Sequence, residues 1–423
     1  MKILWISNLL FPEADAILGG SDVLKATGGW LLAASEALLD NNDVRLAVAA
    51  VSPKVKDLTI LDGKRIKYYV LPRGKGNYKY NKDYEKYWLK IEKDFNPSVV
   101  HIHGTEFSHG LAYVKACGNE KVIVSLQGIS SMIYRYYLTG LSKWDILRNI
   151  TIRDLVKGSV YKEKKGFKQR GESETELFKS VRYAIGRTSF DRAHFLWANP
   201  KAIYFVGNET LRPEFYTGKW EYSQCVPHTV FISQLNFAIK GGHTFFKSIP
   251  TILNKYPDVQ IRIGGIDLTK SNGGIVDKLK MHGYGRILKS VISNCHIEAH
   301  VTFLGNLDAS EMKKELLRAN VYVCPSSCEN SPNSLCEAQM LGVPNISSYV
   351  GGIPDLVPNK ECGELYRFEE YEMLADKICN VFANSPSFDN TTMRAHAFKR
   401  HDSVNNCEQL LSIYQSVIAN SNT

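Results

Sequence analysis

Residues 324–357 read CPSSCENSPNSLCEAQMLGVPNISSYVGGIPDLV, and they lay out one strand, loop, helix and strand in that order. An apolar run, Val321–Cys324, enters Pro325 and a polar loop. Ser331 followed by Pro332 pairs a good helix cap with a proline at the first helical position. The helix over 335–341 stops at Gly342, with Pro344 just beyond and a second apolar run at 344–348. Such a helix turns its open amides toward the carboxyl end of the sheet, which makes an anion site. Two carboxylates flank that terminus, Glu329 on the loop and Glu337 about one turn inside.

The same pattern extends outward over most of the 423 residues. β-branched runs fall at 3–7, 44–51, 67–71, 98–103, 121–126, 183–187 and 202–206, then at 229–233, 259–264, 300–304, 320–325 and 344–348. Continuous apolar strands alternating with helical patterns mean parallel sheets covered on both faces. Twelve are too many for one sheet, and turn chemistry without a period at 208–227 divides them. The expected class is α/β, with two doubly wound parallel-sheet domains facing each other across a cleft at the strands' carboxyl ends. The boundaries expected are 1–215 and 225–400, with a helix in 401–423 returning to the first domain.

Composition narrows the function. The chain is 44% hydrophobic and 22% charged, ordinary for a globular protein. No run of 18 apolar residues is present, so no ordinary transmembrane helix is expected. Met1-Lys2 followed by ILWISNLLF is broken by Ser7-Asn8 and reads as a first buried strand rather than a signal peptide. Fifty-two basic against 43 acidic residues, net +9, suit an anionic partner. Nine cysteines without paired spacing suit a reduced, cytoplasmic chain. Cys324, Cys328 and Cys336 lie close together but lack a CxxC pair or a nearby His, so no metal site is expected. Residues 143–170 hold nine basic and three acidic side chains among apolar ones. They allow an amphipathic helix, within an excursion of the first domain over 131–180, read either as a solvated connecting helix or as a contact for an anionic membrane or a phosphate-bearing acceptor.

Glu329 and Glu337 within PSSCENSPNSLCEAQMLGVP, followed by VGGIPDLV, resemble the E-x7-E segment of retaining GT-B glycosyltransferases, specifically glycosyltransferase family 4 (glycosyl transferases group 1). HVTFLGNLDASEMKKELLRANVYVCPSS (300–327) resembles the segment leading into it, and FISQLNFAIKGG (231–242) the opening of the second domain. The resemblance is specific over 228–368, weaker over 1–60 and 98–130, and faintest over 131–226. It implies that Glu337 holds the ribose of a nucleoside-diphosphate sugar and that Glu329 contacts the donor sugar. Amides around Asn333, Ser334 and Leu335 would meet sugar and phosphate. Lys240 would neutralise the leaving diphosphate, and the stretch from Gly305 would line the base. Gly28 and Gly29, opening the first helix at 30–39, would let backbone approach a phosphate.

Two departures stand out. Gln234 occupies the place of a family Arg, so one charge on the diphosphate is missing, unless Arg187 or Arg212 reaches in. Gln127 occupies the place of a family His. His103, at the preceding strand end, is the nearest titratable substitute, read either as catalytic and acceptor-side or as a hydrogen-bonded structural group. Arg187, Glu209 and Arg212 read equally as salt-bridged structure.

Residues 8–29 lack G-x-G-x-x-G, which argues against a nicotinamide dehydrogenase. GxxxxGK[ST] is absent, and no nucleic-acid module appears. The resemblance implies a metal-independent, retaining transfer of a hexose-type sugar. Its donor would be a nucleoside-diphosphate sugar, with a UDP-sugar expected. Its acceptor would be a saccharide or a lipid-linked saccharide, in the synthesis of bacterial surface polysaccharide. The alternatives are another GT-B enzyme, an epimerase or phosphorylase-like one, and a catalytically weak sugar-nucleotide scaffold.

Overall fold

A computed structural model of the chain describes residues 1–20, 29–74, 79–270 and 281–421. They form two compact units, one of Met1–Met132, Gly166–Arg212 and Arg400–Thr423, the other of Ile133–Lys165 and Pro213–Lys399.

The first unit is built on β1 (Lys2–Ser7), β2 (Arg45–Ser52), β3 (Thr59–Asp62), β4 (Ile66–Pro72), β5 (Val99–His103), β6 (Val122–Ser125), β7 (Tyr183–Gly186) and β8 (Ile203–Val206). Among the described residues these make one sheet of order β3-β4-β2-β1-β5-β6-β7-β8. All its pairings are parallel except the β3–β4 hairpin. β1, β5, β6 and β7 are buried almost throughout, which is why they read as mainly apolar runs, with His101 and His103 the polar exceptions on β5. β3 alternates half-buried and exposed residues and leaves no such trace in the sequence.

The helix Ser403–Ser421 packs Ile413, Tyr414 and Val417 into the core of Ile3, Trp5 and Leu31. Tyr414 fixes it there: Trp5 Nε1 donates to its hydroxyl at 2.9 Å, and His101 Nδ1 meets the same oxygen at 2.6 Å. Burial of His101 pushes its pKa down to about 3, so the ring is neutral and serves as a hydrogen-bonding bridge to Ser125, 2.6 Å away.

The second unit is built on β9 (Thr229–Ile232), β10 (Gln260–Gly264), β11 (Val301–Gly305), β12 (Val321–Cys324), β13 (Asn345–Ser348) and the short β14 (Glu364–Tyr366). Among the described residues they form a wholly parallel sheet of order β11-β10-β9-β12-β13-β14. The chain thus has the two doubly wound α/β sheets expected.

The basic excursion departs from expectation. It is three helices rather than one, Lys143–Arg148, Ile152–Lys157 and Val160–Ser180, and residues Ile133–Lys165 belong to the second unit. Capping boxes start the first two, at Ser142 with Asp145 and at Thr151 with Asp154. Gly158, at φ 100°, stops the second. Thr151 Oγ1 donates to the Met281 carbonyl at 2.8 Å, and Gly283 N donates to Asp154 Oδ1 at 3.2 Å.

Candidate functional site

The order of the second sheet reverses between β9 and β12, because β10 and β11 lie to one side and β13 and β14 to the other. At such a switch point the loops leaving adjacent strands diverge and open a crevice at their carboxyl ends. β9 leads to Ser233, Gln234 and the turn Ala238–Lys240; β12 leads to the loop that carries Glu329 and to the helix Asn333–Leu341. That helix begins two residues after Ser331: Pro332, at φ −70° and ψ 116°, is the cap residue, and Ser331 lies outside. Its far end is at Gly342 in the left-handed region, as expected.

Lys240 Nζ lies 2.5 Å from Glu329 Oε1, and Ser326 Oγ donates to the same oxygen at 2.7 Å. Burial works against the ammonium, yet the charge and hydrogen bond of Glu329 prevail, so the Lys240 pKa lies above its ordinary value and the group is a fixed cation. Two glycines set this geometry. Gly241 has φ +73°, and a Cβ there would stand 1.8 Å from the Pro325 carbonyl oxygen. Gly351 has φ +53°, a Cβ there would stand 1.9 Å from the Glu329 carbonyl oxygen, and Gly352 N donates to that oxygen at 3.0 Å. The GG pairs after Lys240 and after Val350 are therefore what lets backbone close onto both sides of the Glu329 loop.

Beneath the pair, hydroxyls converge. Tyr322 OH donates to Ser334 Oγ at 2.7 Å, and Ser233 Oγ donates to it at 3.2 Å. Burial raises the Tyr322 pKa well above the usual phenol, so it remains a donor. Burial, then the Glu329 charge, pushes the Cys324 and Cys328 thiols up to about 12, which leaves them protonated. Among the described residues no three His, Cys, Asp or Glu side chains are grouped as metal ligands would be.

Of the remaining donor-side candidates, Glu337, Gln234, Asn333, Leu335 and Gly305 belong to the second unit and Gly29 to the first. Glu337 is buried on the helix, and Gln234 and Asn333 are half-buried. The Leu335 amide donates to the Pro332 carbonyl at 3.0 Å, so it is used within the first turn. Gly305 ends β11 at φ +79° with open space where a side chain would stand. Gly29 opens the helix Gly29–Leu39, and the Arg212 stem comes within 2.9 Å of where its Cβ would be. Gly28 lies outside the described residues.

The first sheet reverses between β1 and β5. Register sets Ser7 level with His103 there. His103 is buried, neither ring nitrogen has a partner among the described residues, and its ring packs 4.4 Å from Trp5. Burial, then His101 and Arg187, hold its pKa well below the ordinary histidine value. A neutral imidazole held that low takes a proton poorly, and is left with one ring nitrogen that accepts a hydrogen bond and one N–H that donates. With Trp30, Arg187, Asn208 and Glu209 it lines a cavity of about 60 Å³. Gln127 Nε2 and Arg187 Nη2 both reach Glu209 Oε1 at 2.8 Å, so Arg187 forms a buried pair within its own unit.

Sequence reasoning missed a second group at this switch point. Asn8 Nδ2 donates to Glu106 Oε2 at 2.7 Å, and Thr105 Oγ1 donates to Glu174 Oε1 at 2.7 Å. Burial raises both carboxyls, Glu174 to about 8. Glu106 follows the HIHG run by two residues and could have been found; Glu174 comes from a remote helix and could not. Ser233, Tyr322 and Ser326 were likewise missed, because a lone hydroxyl within or just past a strand carries no pattern of its own.

Residues 226–398 match the family model described as Glycosyl transferases group 1. The chain is 24% identical over 228 residues to the phosphatidylinositol N-acetylglucosaminyltransferase gpi3 subunit of Schizosaccharomyces pombe, covering 53% of this chain and 46% of that protein. It is 24% identical over 194 residues to spore coat protein SA of Bacillus subtilis, covering 44% of this chain and 48% of that one. The chain spans about half the length of the curated relatives it matches. Among solved structures, sucrose-phosphate synthase from Thermosynechococcus elongatus superposes with a TM-score of 0.71 at 14% identity, over 99% of each chain. The structure of HepE from Anabaena in complex with UDP gives 0.63 at 17% identity, over 98% of this chain and 100% of that one. The fold of the chain is therefore that of the GT-B glycosyltransferases, and its segment 226–398 carries the match to the glycosyl transferases group 1 family.

Proposed function

We propose that the chain is a glycosyltransferase that moves a hexose-type sugar from a nucleoside-diphosphate donor to a hydroxyl of a saccharide or lipid-linked saccharide. The observation that carries this reading is the Lys240–Glu329 pair at the β9–β12 switch point, with the Ser233, Tyr322 and Ser334 hydroxyls beside it. A fixed ammonium next to a carboxylate suits a ligand with a phosphate at one end and sugar hydroxyls at the other.

As the anomeric C–O bond breaks, its electron pair stays on the diphosphate, and Lys240 stabilises the charge that develops. Glu329, freed from part of its pairing, accepts hydrogen bonds from donor hydroxyls. Glu337, deeper on the helix, is the group proposed for the ribose. The acceptor oxygen forms the new bond on the face the diphosphate leaves, and its proton passes to the departing phosphate oxygen. The configuration is retained, and no strong protein base is needed, which fits the weak basicity of His103. In this scheme Lys240 supplies the charge that a cation would otherwise supply, so the reaction is proposed to need no metal.

Uracil is the base proposed for the donor, a UDP-sugar, supported by structural neighbours described with UDP or a UDP-sugar bound. The setting proposed is the cytoplasmic face of a membrane where surface polysaccharide is made, with the basic segment 143–170 as the contact. The test is thermal stability against nucleoside diphosphates and their sugars with a chelator present, followed by turnover on candidate acceptors. A ligand at ~100 times its dissociation constant adds roughly 2.7 kcal/mol, seen as a raised midpoint. No shift with any nucleotide overturns the donor assignment; binding without turnover on any acceptor favours a sugar-nucleotide scaffold instead.

A further inference from the structure

We infer that the outward faces of the helices Lys143–Arg148 and Ile152–Lys157 form a docking surface for an anionic lipid bilayer. The inference deepens the acceptor side of the reading above and places the contact on two short helices of the second unit. Trp144 is 69% exposed, Leu147 53%, Ile152 53%, Leu155 76% and Val156 77%. Trp144 and Leu147 are three residues apart, and Ile152, Leu155 and Val156 follow i, i+3, i+4 spacing, so each helix gathers its apolar side chains on one face.

These faces are not exposed through looseness. The inner sides are fixed: Ile146, Thr151 and Asp154 are buried, and both helices start in capping boxes. A Cβ on Gly283 would fall 2.1 Å from Asp154 Oδ2, so the chain of the second unit is built to admit that carboxylate. The fold thus holds a cluster of large apolar groups in water, an arrangement that marks an interaction site.

Charge identifies the occupant. Between 143 and 162 the chain has five basic and two acidic side chains. Lys143, Arg148, Lys157 and Lys162 are exposed, whereas Asp154 is buried and Asp145 is occupied by its capping box. Two copies of this surface would repel each other. A nucleic acid would satisfy the cations but leave the apolar face wet. An anionic bilayer satisfies both, with phosphates meeting the cations and Trp144, Leu147, Leu155 and Val156 entering the acyl boundary. Among the described residues no helix is long and apolar enough to cross a membrane, so the contact is interfacial.

The experiment is co-sedimentation of the full chain with vesicles of phosphatidylcholine alone or mixed with phosphatidylglycerol, at two salt concentrations. Binding is expected only with phosphatidylglycerol present, weaker at high salt. Arg148→Gln with Lys157→Gln should weaken it by roughly fivefold per cation removed. Leu155→Ser with Val156→Ser should weaken it by roughly tenfold or more, with the thermal midpoint unchanged because both side chains face water. Binding that ignores phosphatidylglycerol, or survives the Ser pair intact, overturns the proposal. So does a lipid-free dimer in sedimentation that the Ser pair abolishes. Nucleotide binding by the same variants should be unaffected, so failure on vesicles and failure of the donor site are separate results.

Discussion

Lys240 and Glu329, 89 residues apart in sequence, form an ion pair with Nζ 2.5 Å from Oε1. The cation proposed to meet a leaving diphosphate is therefore neutralised in the free protein by the carboxylate proposed to meet the donor sugar. Under that proposal donor binding divides this pair between its two ends, which ties recognition of the phosphate to recognition of the sugar.

Replacing Lys240 with Ala should lower kcat by ~10²–10³, the usual cost of losing one such donor. Nucleotide affinity should fall less. The variant also strands Glu329 in a half-buried site, at a cost of about 1–3 kcal/mol in stability. Turnover under saturating donor, beside a urea melt, checks both; wild-type turnover would mean the leaving group is stabilised elsewhere.

Gln234 follows β9 by two residues and is half-buried at the crevice. Gln234→Arg should supply a second cation to the diphosphate. Charge-assisted hydrogen bonds are worth about 1.5–3 kcal/mol, so nucleoside diphosphate binding should tighten by roughly tenfold or more. Calorimetry with the nucleotide alone measures this, and unchanged affinity would place Gln234 away from the phosphates.

Three glycines in positive φ separate strain from obstruction. Gly241→Ala and Gly351→Ala bring a methyl within 1.8 and 1.9 Å of backbone oxygens, whereas Gly305→Ala meets nothing within 4 Å. The first two should displace the Glu329 loop and abolish donor binding. The third should cost only the left-handed penalty, about 1–2 kcal/mol. Equal effects of all three on nucleotide binding would contradict the loop geometry.

Burial pushes the Glu174 carboxyl up to about 8, against the Thr105 hydrogen bond and with help from the Glu106 charge. The folded pKa is above the unfolded one, so the stabilising contribution is whole below the ordinary carboxyl range and is lost as pH rises through about 8. Stability should fall by up to about 1.4 kcal/mol per pH unit across that window. Glu174→Gln, neutral throughout, should flatten the slope; denaturant midpoints measured from about pH 5 to about pH 9, across the window and just beyond it, decide it.

What was legible in the sequence follows from burial. Strands covered on both faces could not help reading as apolar runs. β3, exposed at every second residue, and β14, three residues long at a sheet edge, left too little pattern. The excursion was misread as one helix because its charge pattern was weighed above two Ser/Thr-x-x-Asp boxes and Gly158, the local signals that break it. Lys240, Glu329 and Glu337 could be singled out by resemblance, but that the first two pair is tertiary information. The Glu106 and Glu174 carboxyls, raised together, come from β5's exit and a distant helix, and no spacing announces them.

The hydroxyl of Tyr414, between Trp5 and His101, carries a consequence for biosynthesis. Trp5 leaves a ribosome long before Tyr414, and its indole proton waits for a partner made 409 residues later. Until then the first sheet has an uncovered face where Ile413 and Val417 belong, while the whole second unit is made and can fold in between. Nascent chains should therefore pass through a long interval in which β1 lacks its covering helix, the interval in which a chaperone would be needed most.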